Sequence, residues 1–141
     1  MLTTILLWIN IVGFVAYGLF CFFFPHSAAA AMGYTLSNAD AVIEISAMYG
    51  GVQIMIGLYC LLLLRSATEA ANASALKVML MVYGGLVAGR FFGLLTSNGD
   101  VGVYTEGATS FEVMMFIALA YCCIRSPLGV KSELNAIKEI D

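Results

Sequence analysis

Charge is what this sequence has least of: in 141 residues, 11% of positions are Asp, Glu, Lys or Arg, and only six of those are basic. With a net charge of -3 and no Lys/Arg cluster to neutralise a phosphate backbone, a nucleic-acid partner is excluded, and nothing polybasic addresses anionic lipid. Histidine occurs once, at His26. One histidine cannot supply two axial ligands to a haem, and no Cys or carboxylate set has zinc spacing, so no metal and no cofactor is expected. Cys21, Cys60, Cys122 and Cys123 all lie in apolar stretches without a C-x-x-C pair, and read as small buried apolar residues. No Ser/His/Asp or Cys/His arrangement suggests nucleophilic catalysis, so an enzyme is not expected; the one acid/base alternative is a carboxylate pair, Glu44 with Glu112.

What is abundant is apolar surface, at 62% of residues. A water-soluble core of this size could not bury so much. Four runs carry the excess: Leu2 to Phe24, Ala41 to Leu64, Leu76 to Leu95, and Phe111 to Ile124 extended backward by Gly107 to Ser110. Each approaches or exceeds the ~20 residues an α-helix needs to cross ~30 Å of hydrocarbon. The expected fold is therefore an all-α membrane protein, a four-transmembrane-helix bundle over residues 1–125 with a cytoplasmic tail over 126–141. The first run is read as a span and not as a signal peptide, because it lacks a basic leader and is too long for a signal core.

Lys and Arg orient the spans. Arg65 and Lys77 flank the second connection, and Arg125, Lys131 and Lys138 follow the fourth run, whereas the connections Pro25 to Asp40 and Thr96 to Gly107 have no Lys or Arg. Both termini are expected in the cytoplasm of a bacterial inner membrane. Trp8, Tyr59 and Tyr121 then fall near inner ends and Tyr34 and Tyr104 near outer ones, as interfacial belts do. Pro25 followed by Ala28 to Met32 and closed by Gly33 predicts a short helix along the outer interface. Thr96-Ser97-Asn98-Gly99-Asp100 predicts a turn. Asn72-Ala73-Ser74 matches a glycosylation acceptor only by chance, given its inner placement. In the tail, Leu134, Ile137 and Ile140 recur at helical spacing and predict a short amphipathic helix.

Glu44, Arg90 and Glu112 stand where a bilayer makes ionisable groups costly, all at similar depth toward the outer face, so an Arg between two carboxylates is the expected cluster. Each has a plainer reading. Thr109-x-x-Glu112 fits a capping box, Glu44 suits the positive end of a helix capped by Asn38 or Asp40, and Arg90 can snorkel to headgroups. At helical steps, Glu44 shares a face with Ala47, Met48, Gly51 and Met55, while Ser46, Tyr49, Gln53 and Cys60 form a polar stripe opposite. Polar groups on two faces predict that the second span sits centrally or touches another subunit. Gly85, Gly89 and Gly93 make overlapping G-x-x-x-G units on the third span, suited to close helix packing within the bundle or between subunits, as are Gly50 and Gly51. Tyr49-Gly50-Gly51 and Tyr83-Gly84-Gly85 hint at an internal duplication.

With Glu44-x-x-Ala47-x-Tyr49-Gly50-Gly51 and Gly57 in the second span, Gly89-Arg90-x-x-Gly93 in the third, Glu112 in the fourth, and Phe24-Pro25 before a small-residue segment ending at Gly33, the chain resembles a family of small four-helix bacterial membrane proteins known only as a domain of unknown function. The resemblance covers most of Ile5 to Ile124; a more distant one is to the DoxX-like four-helix proteins. Neither implies a substrate. Two functions are then expected to compete. One is a non-enzymatic component embedded in the lipid bilayer, a homo-oligomer or an accessory to other membrane subunits, with the charges as a strut. The other is binding or transport of a lipid headgroup, small polar solute or proton at Glu44, Arg90 and Glu112 with Tyr49.

Overall fold

A computed structural model describes residues 2–96 and 101–125; the expected Asn98-Gly99 turn and the tail 126–141 lie outside the described residues. The described chain is all-α. Helix α1 spans Leu2–Phe23, a short α2 spans Pro25–Ala31, and three long helices follow: α3 over Ala39–Arg65, α4 over Glu69–Thr96 and α5 over Val103–Arg125. Four of these, α1, α3, α4 and α5, are long and apolar enough to cross a membrane.

The helix boundaries follow local chemistry as much as hydropathy. Pro25 opens α2 at its first turn, where a missing N–H costs nothing, and Gly33 closes it at φ +82°. The Tyr34 N–H bonds the Ala29 carbonyl at 2.8 Å and the Gly33 N–H the Ala30 carbonyl at 3.0 Å, a Schellman closure that satisfies the last carbonyls. Asn38 caps α3, its Oδ1 accepting from the Ala41 N–H at 2.9 Å. Thr68 caps α4 in the same way, accepting from the Ala71 N–H at 3.2 Å. The third apolar run starts at Leu76, yet α4 starts at Glu69, because a hydroxyl cap followed by an acidic first turn begins a helix before the chain becomes apolar. Asn72-Ala73-Ser74 is therefore helical.

The fourth span corrects a boundary and a role. It begins at Val103, so Thr109 lies inside α5, where its hydroxyl donates to the Thr105 carbonyl at 2.7 Å. The capping box with Glu112 is thus replaced by an ordinary side-chain bond to the preceding turn, and Glu112 is free for another partner.

Within α3, Ile45–Gly51 winds as a π-helix of seven residues. Wider turns of this kind are rare and concentrate at functional sites. Its sequence ends in Gly50-Gly51, which resist departure from a regular helix least, and α1 lies directly against it. A methyl group on Gly50 would stand 2.9 Å from the Phe22 backbone, and one on Gly18 2.9 Å from the Ile54 nitrogen. Gly57 repeats the device deeper, where an added methyl would stand 2.7 Å from Val15 and 3.3 Å from the Ile11 carbonyl. Glycine thus brings α1 and α3 backbone to backbone.

Polar groups on two faces predict a central place for the second span or a contact with another subunit, and the central place is not the one it takes. Instead α1 is the most enclosed of the four, because Gly18, Gly50 and Gly57 seat α3 against one side of it. Helices α4 and α5 form a second pair, with Gly84 facing the Phe116 ring, from which an added methyl would stand 3.3 Å. The pairs close on each other at the end away from α2, where Leu6, Leu7, Cys60, Ala75, Leu76, Met79, Leu119 and Cys122 form a dense core. Toward the α2 end they part.

Candidate functional site

The parting leaves a cavity of about 350 Å³ between the pairs, within the range of small-ligand sites. Its floor is aromatic. Tyr83 meets Phe14 edge-on at a centroid distance of 5.9 Å and Phe111 at 6.3 Å. Its walls are unusually polar for a bundle interior: Asn10 and Tyr17 from α1, Tyr49 and Gln53 from α3, Arg90 from α4, Tyr104 and Glu112 from α5.

Arg90 and Glu112 form the electrostatic centre. The Arg90 Nε–H donates to one Glu112 oxygen and Nη2–H to the other, both at 3.1 Å. This fork-on-fork geometry is the strongest an ion pair adopts, and it offsets two desolvation costs with two directed bonds. The Glu112 side chain is 10% exposed and the Arg90 side chain 27%. The carboxylate is spent on the pair, while the guanidinium keeps an open side. It has five N–H donors, of which Glu112 takes two.

Arg90 opens onto a second cavity, a groove of about 550 Å³ on the flank of α4, lined by Tyr49, Gly85, Gly89, Gly93, Val101, Thr105 and their neighbours. The two cavities share Tyr49, Leu86 and Arg90, so they meet at the guanidinium. Of the two places expected for the glycine stripe, inside the bundle or between subunits, the first is not found among the described residues. A methyl group added at Gly85, Gly89 or Gly93 would meet nothing within 4 Å, so among the described residues no helix packs on them, and their missing side chains leave a trough beside Arg90. The close packing belongs to Gly50 with Gly18 and Gly57, while Gly51 has only the Ser46 carbonyl, at 3.9 Å.

Of the expected cluster, the structure joins Arg90 and Glu112, places Tyr49 beside them on both cavity walls, and leaves Glu44 out. Glu44 is exposed near the start of α3 and, among the described residues, has no ion-pair partner. The physical reason lies in the faces of α3. Its polar stripe of Tyr49 and Gln53 turns into the cavity, so the opposite face, with Met48 and Met55 more than half exposed, carries Glu44 outward. Glu44→Gln is accordingly expected to leave both the fold and ligand binding unchanged. Thermal unfolding of the purified variant in detergent would show it, and a marked drop in the midpoint would contradict the placement.

Four of the polar wall residues, Asn10, Tyr17, Gln53 and Tyr104, are not among the expected site residues. Tyr17 and Tyr104 join hydroxyl to hydroxyl at 3.1 Å across α1 and α5, and the Tyr17 hydroxyl also donates to the Met32 sulfur at 3.5 Å. A hydroxyl has one hydrogen, so with Tyr17 donating to sulfur, Tyr104 is the donor between the rings. Asn10 is 2% exposed; its Nδ2 donates to the Leu6 carbonyl at 2.7 Å, and its Oδ1 has no donor among the described residues. The amide cannot be reversed, since the Leu6 carbonyl only accepts. An unmet acceptor of this kind costs about 1–3 kcal/mol. An amide inside the first apolar run is a signal in the sequence, because a polar group at that depth needs a reason. Among the described residues no three His, Cys, Asp or Glu converge.

A family model, described as a domain of unknown function (DUF4345), matches residues 2–123. The chain belongs to that family. No curated protein and no solved structure matches it, so no relative supplies an activity, and the DoxX-like resemblance gains no support. The matched region takes in all four spans, both cavities and the Arg90–Glu112 pair.

Proposed function

We propose that this family member is a non-enzymatic integral membrane protein that binds an oxyanion-bearing ligand, a lipid headgroup or a small polar solute, at Arg90. One observation carries the reading: the guanidinium is neutralised by Glu112 yet opens on two cavities that meet at it. A strut would be enclosed by protein. The groove reinforces the choice, because it places an apolar, glycine-floored trough directly beside a cation in a helix otherwise facing lipid. Self-association or docking to another membrane subunit through Gly85, Gly89 and Gly93 is the lesser reading, since whatever lies on that trough must also satisfy Arg90. With Lys and Arg concentrated at the opposite end, the termini are cytoplasmic and the cavities belong to the outer leaflet of the inner membrane.

The test compares wild type with Arg90→Gln/Glu112→Gln, which removes both charges while keeping groups that bond each other. Two probes suffice: phosphatidylglycerol, followed by native mass spectrometry from mild detergent, and its deacylated form glycerophosphoglycerol, followed by calorimetry. The expected result is saturable binding of at least one probe by the wild type, weakened at least about ten-fold in the double variant, as loss of a charged hydrogen-bond pair implies. Equal binding by both proteins, or saturable binding of neither probe, would overturn the reading.

A further inference from the structure

We infer that the occupant is a phospholipid held astride Arg90, with its phosphodiester on the guanidinium, its polar headgroup in the cavity between the helix pairs and an acyl chain in the groove on α4. The inference rests on the proposed binding at Arg90 and commits that site to a lipid of the leaflet at the α2 end.

Two cavities of different lining meet at one cation. They share Tyr49, Leu86 and Arg90; beyond these, the cavity between the pairs carries Tyr17, Gln53 and Tyr104 on its walls, whereas among the described residues the groove has one polar side chain of its own, Thr105, and is otherwise glycine, leucine and valine. Helical rise sets their depths. Tyr17 and Arg90 each stand six residues before the end of their helix, about 9 Å in from the α2 end, so the polar wall begins level with the guanidinium. Gly85 stands five residues deeper than Arg90, so the trough runs on for about 8 Å past it. The Phe91 and Phe92 side chains that follow Arg90 are more than half exposed, as residues facing hydrocarbon are.

A phosphodiester suits this junction because it has two free oxygens and two ester arms. The oxygens meet a guanidinium of whose five N–H donors Glu112 takes two, and the single negative charge of a diester is the least that a phosphate brings beside the Glu112 carboxylate. One arm then has a polar space beside it and the other an apolar one. The cavity of about 350 Å³ takes a group of headgroup size, whose hydroxyls or amines find phenols and an amide that both donate and accept. A free diester would leave the groove unused, and a wholly apolar molecule would leave the guanidinium unmet. A phospholipid answers both, since in its leaflet the chains run inward from the phosphate, the direction in which the trough descends from Arg90. Lipid tails are as apolar as the groove, so the chain contributes packing, where Gly85, Gly89 and Gly93 present no side chain, and not a hydrophobic drive.

The experiment uses the full chain in mild detergent, with phosphatidylglycerol as the complete ligand and glycerophosphoglycerol as the same phosphodiester and headgroup without chains. Gly85→Leu fills the trough below Arg90 and Gly85→Ala fills it less; a Cβ at this position meets nothing within 4 Å, so both variants are expected to fold. Gly85→Leu is expected to lower the affinity for phosphatidylglycerol relative to glycerophosphoglycerol by about five-fold or more, the worth of several lost carbon contacts, and Gly85→Ala to lower it by less. Each variant is read against wild type with the same probes, so partition of lipid into detergent cancels. Gln53→Leu, in the other arm, is expected to weaken both probes alike. Binding of the lipid alone, weakened in the same way by Gly85→Leu, supports the inference equally. An unchanged ratio in both Gly85 variants, indifference to Gln53→Leu, or binding of glycerophosphoglycerol without phosphatidylglycerol overturns it while leaving binding at Arg90 standing. A wild-type dimer that Gly85→Leu breaks with lipid binding unchanged also overturns it, and gives the trough to a second copy. Binding of no probe at all overturns both readings.

Discussion

Arg90→Met alone, or Glu112→Leu alone, is expected to destabilise the bundle by about 3–5 kcal/mol, whereas the two together are expected to recover most of that loss. Either single change leaves a charge in an apolar interior without its partner. For Glu112 the cost falls at the upper end, because its side chain is 10% exposed and both of its oxygens are used by Arg90. Arg90 has some relief, since its exposed side reaches the groove on α4. Removing both charges with residues of similar bulk replaces an ion pair by an apolar contact between α4 and α5, which is nearly neutral in a core and favourable in hydrocarbon. Unfolding of the four proteins by graded SDS addition measures the cycle, and the coupling between the two sites should exceed about 2 kcal/mol. If the single variants were as stable as wild type, the pair would be a surface contact and the cavity would be open to bulk water. Rescue of the fold by the double variant without rescue of phosphatidylglycerol binding separates the pair's structural duty from its proposed ligand duty.

The second large effect concerns glycine, and its sign differs between two sets of positions. Gly50→Ala is expected to cost about 1–3 kcal/mol, because the new methyl would lie 2.9 Å from the Phe22 Cα and nitrogen, and backbone cannot turn aside as a side chain can. To accept it, α1 and α3 must separate along the whole contact that Gly18 and Gly57 also hold. Gly89→Ala meets nothing within 4 Å, and alanine favours a helix by about 1 kcal/mol over glycine, so the variant should be as stable as wild type or slightly more so. Its effect should appear in binding, since a methyl narrows the trough beside Arg90. Thermal melts of the two variants, run together in one detergent, check the contrast. Equal destabilisation by both would mean that a second helix packs on Gly89.

Both effects turn on contacts that linear patterns describe poorly. The G-x-x-x-G spacing on α4 reports a small-residue surface and nothing about what lies on it, while the glycines that pack, Gly18, Gly50 and Gly57, are split between two helices and make no motif in one. Glu44 misleads for a related reason. Depth counted along α3 is sound, but depth leaves the azimuth open, and the packing of Gly50 on Phe22 turns Tyr49 and Gln53 inward and Glu44 away. Helix ends differ from the apolar runs where caps outrank hydropathy, as at Thr68 before α4.

By itself the sequence determined that four apolar helices long enough to cross a membrane make up this chain, that α2 follows the first of them between Pro25 and Gly33, and that Arg90 and Glu112 stand within spans where a charge needs a partner. Those facts follow from composition, helical rise and local capping, each a property of neighbouring residues. Tertiary structure alone decided that Arg90 takes Glu112 and not Glu44, that no described helix of the bundle packs on the Gly85, Gly89 and Gly93 stripe, and that Asn10 and Tyr104 share a cavity with the pair. These depend on which faces meet across helices far apart in the chain, and that is set by close contacts such as Gly50 on Phe22, which no local pattern contains.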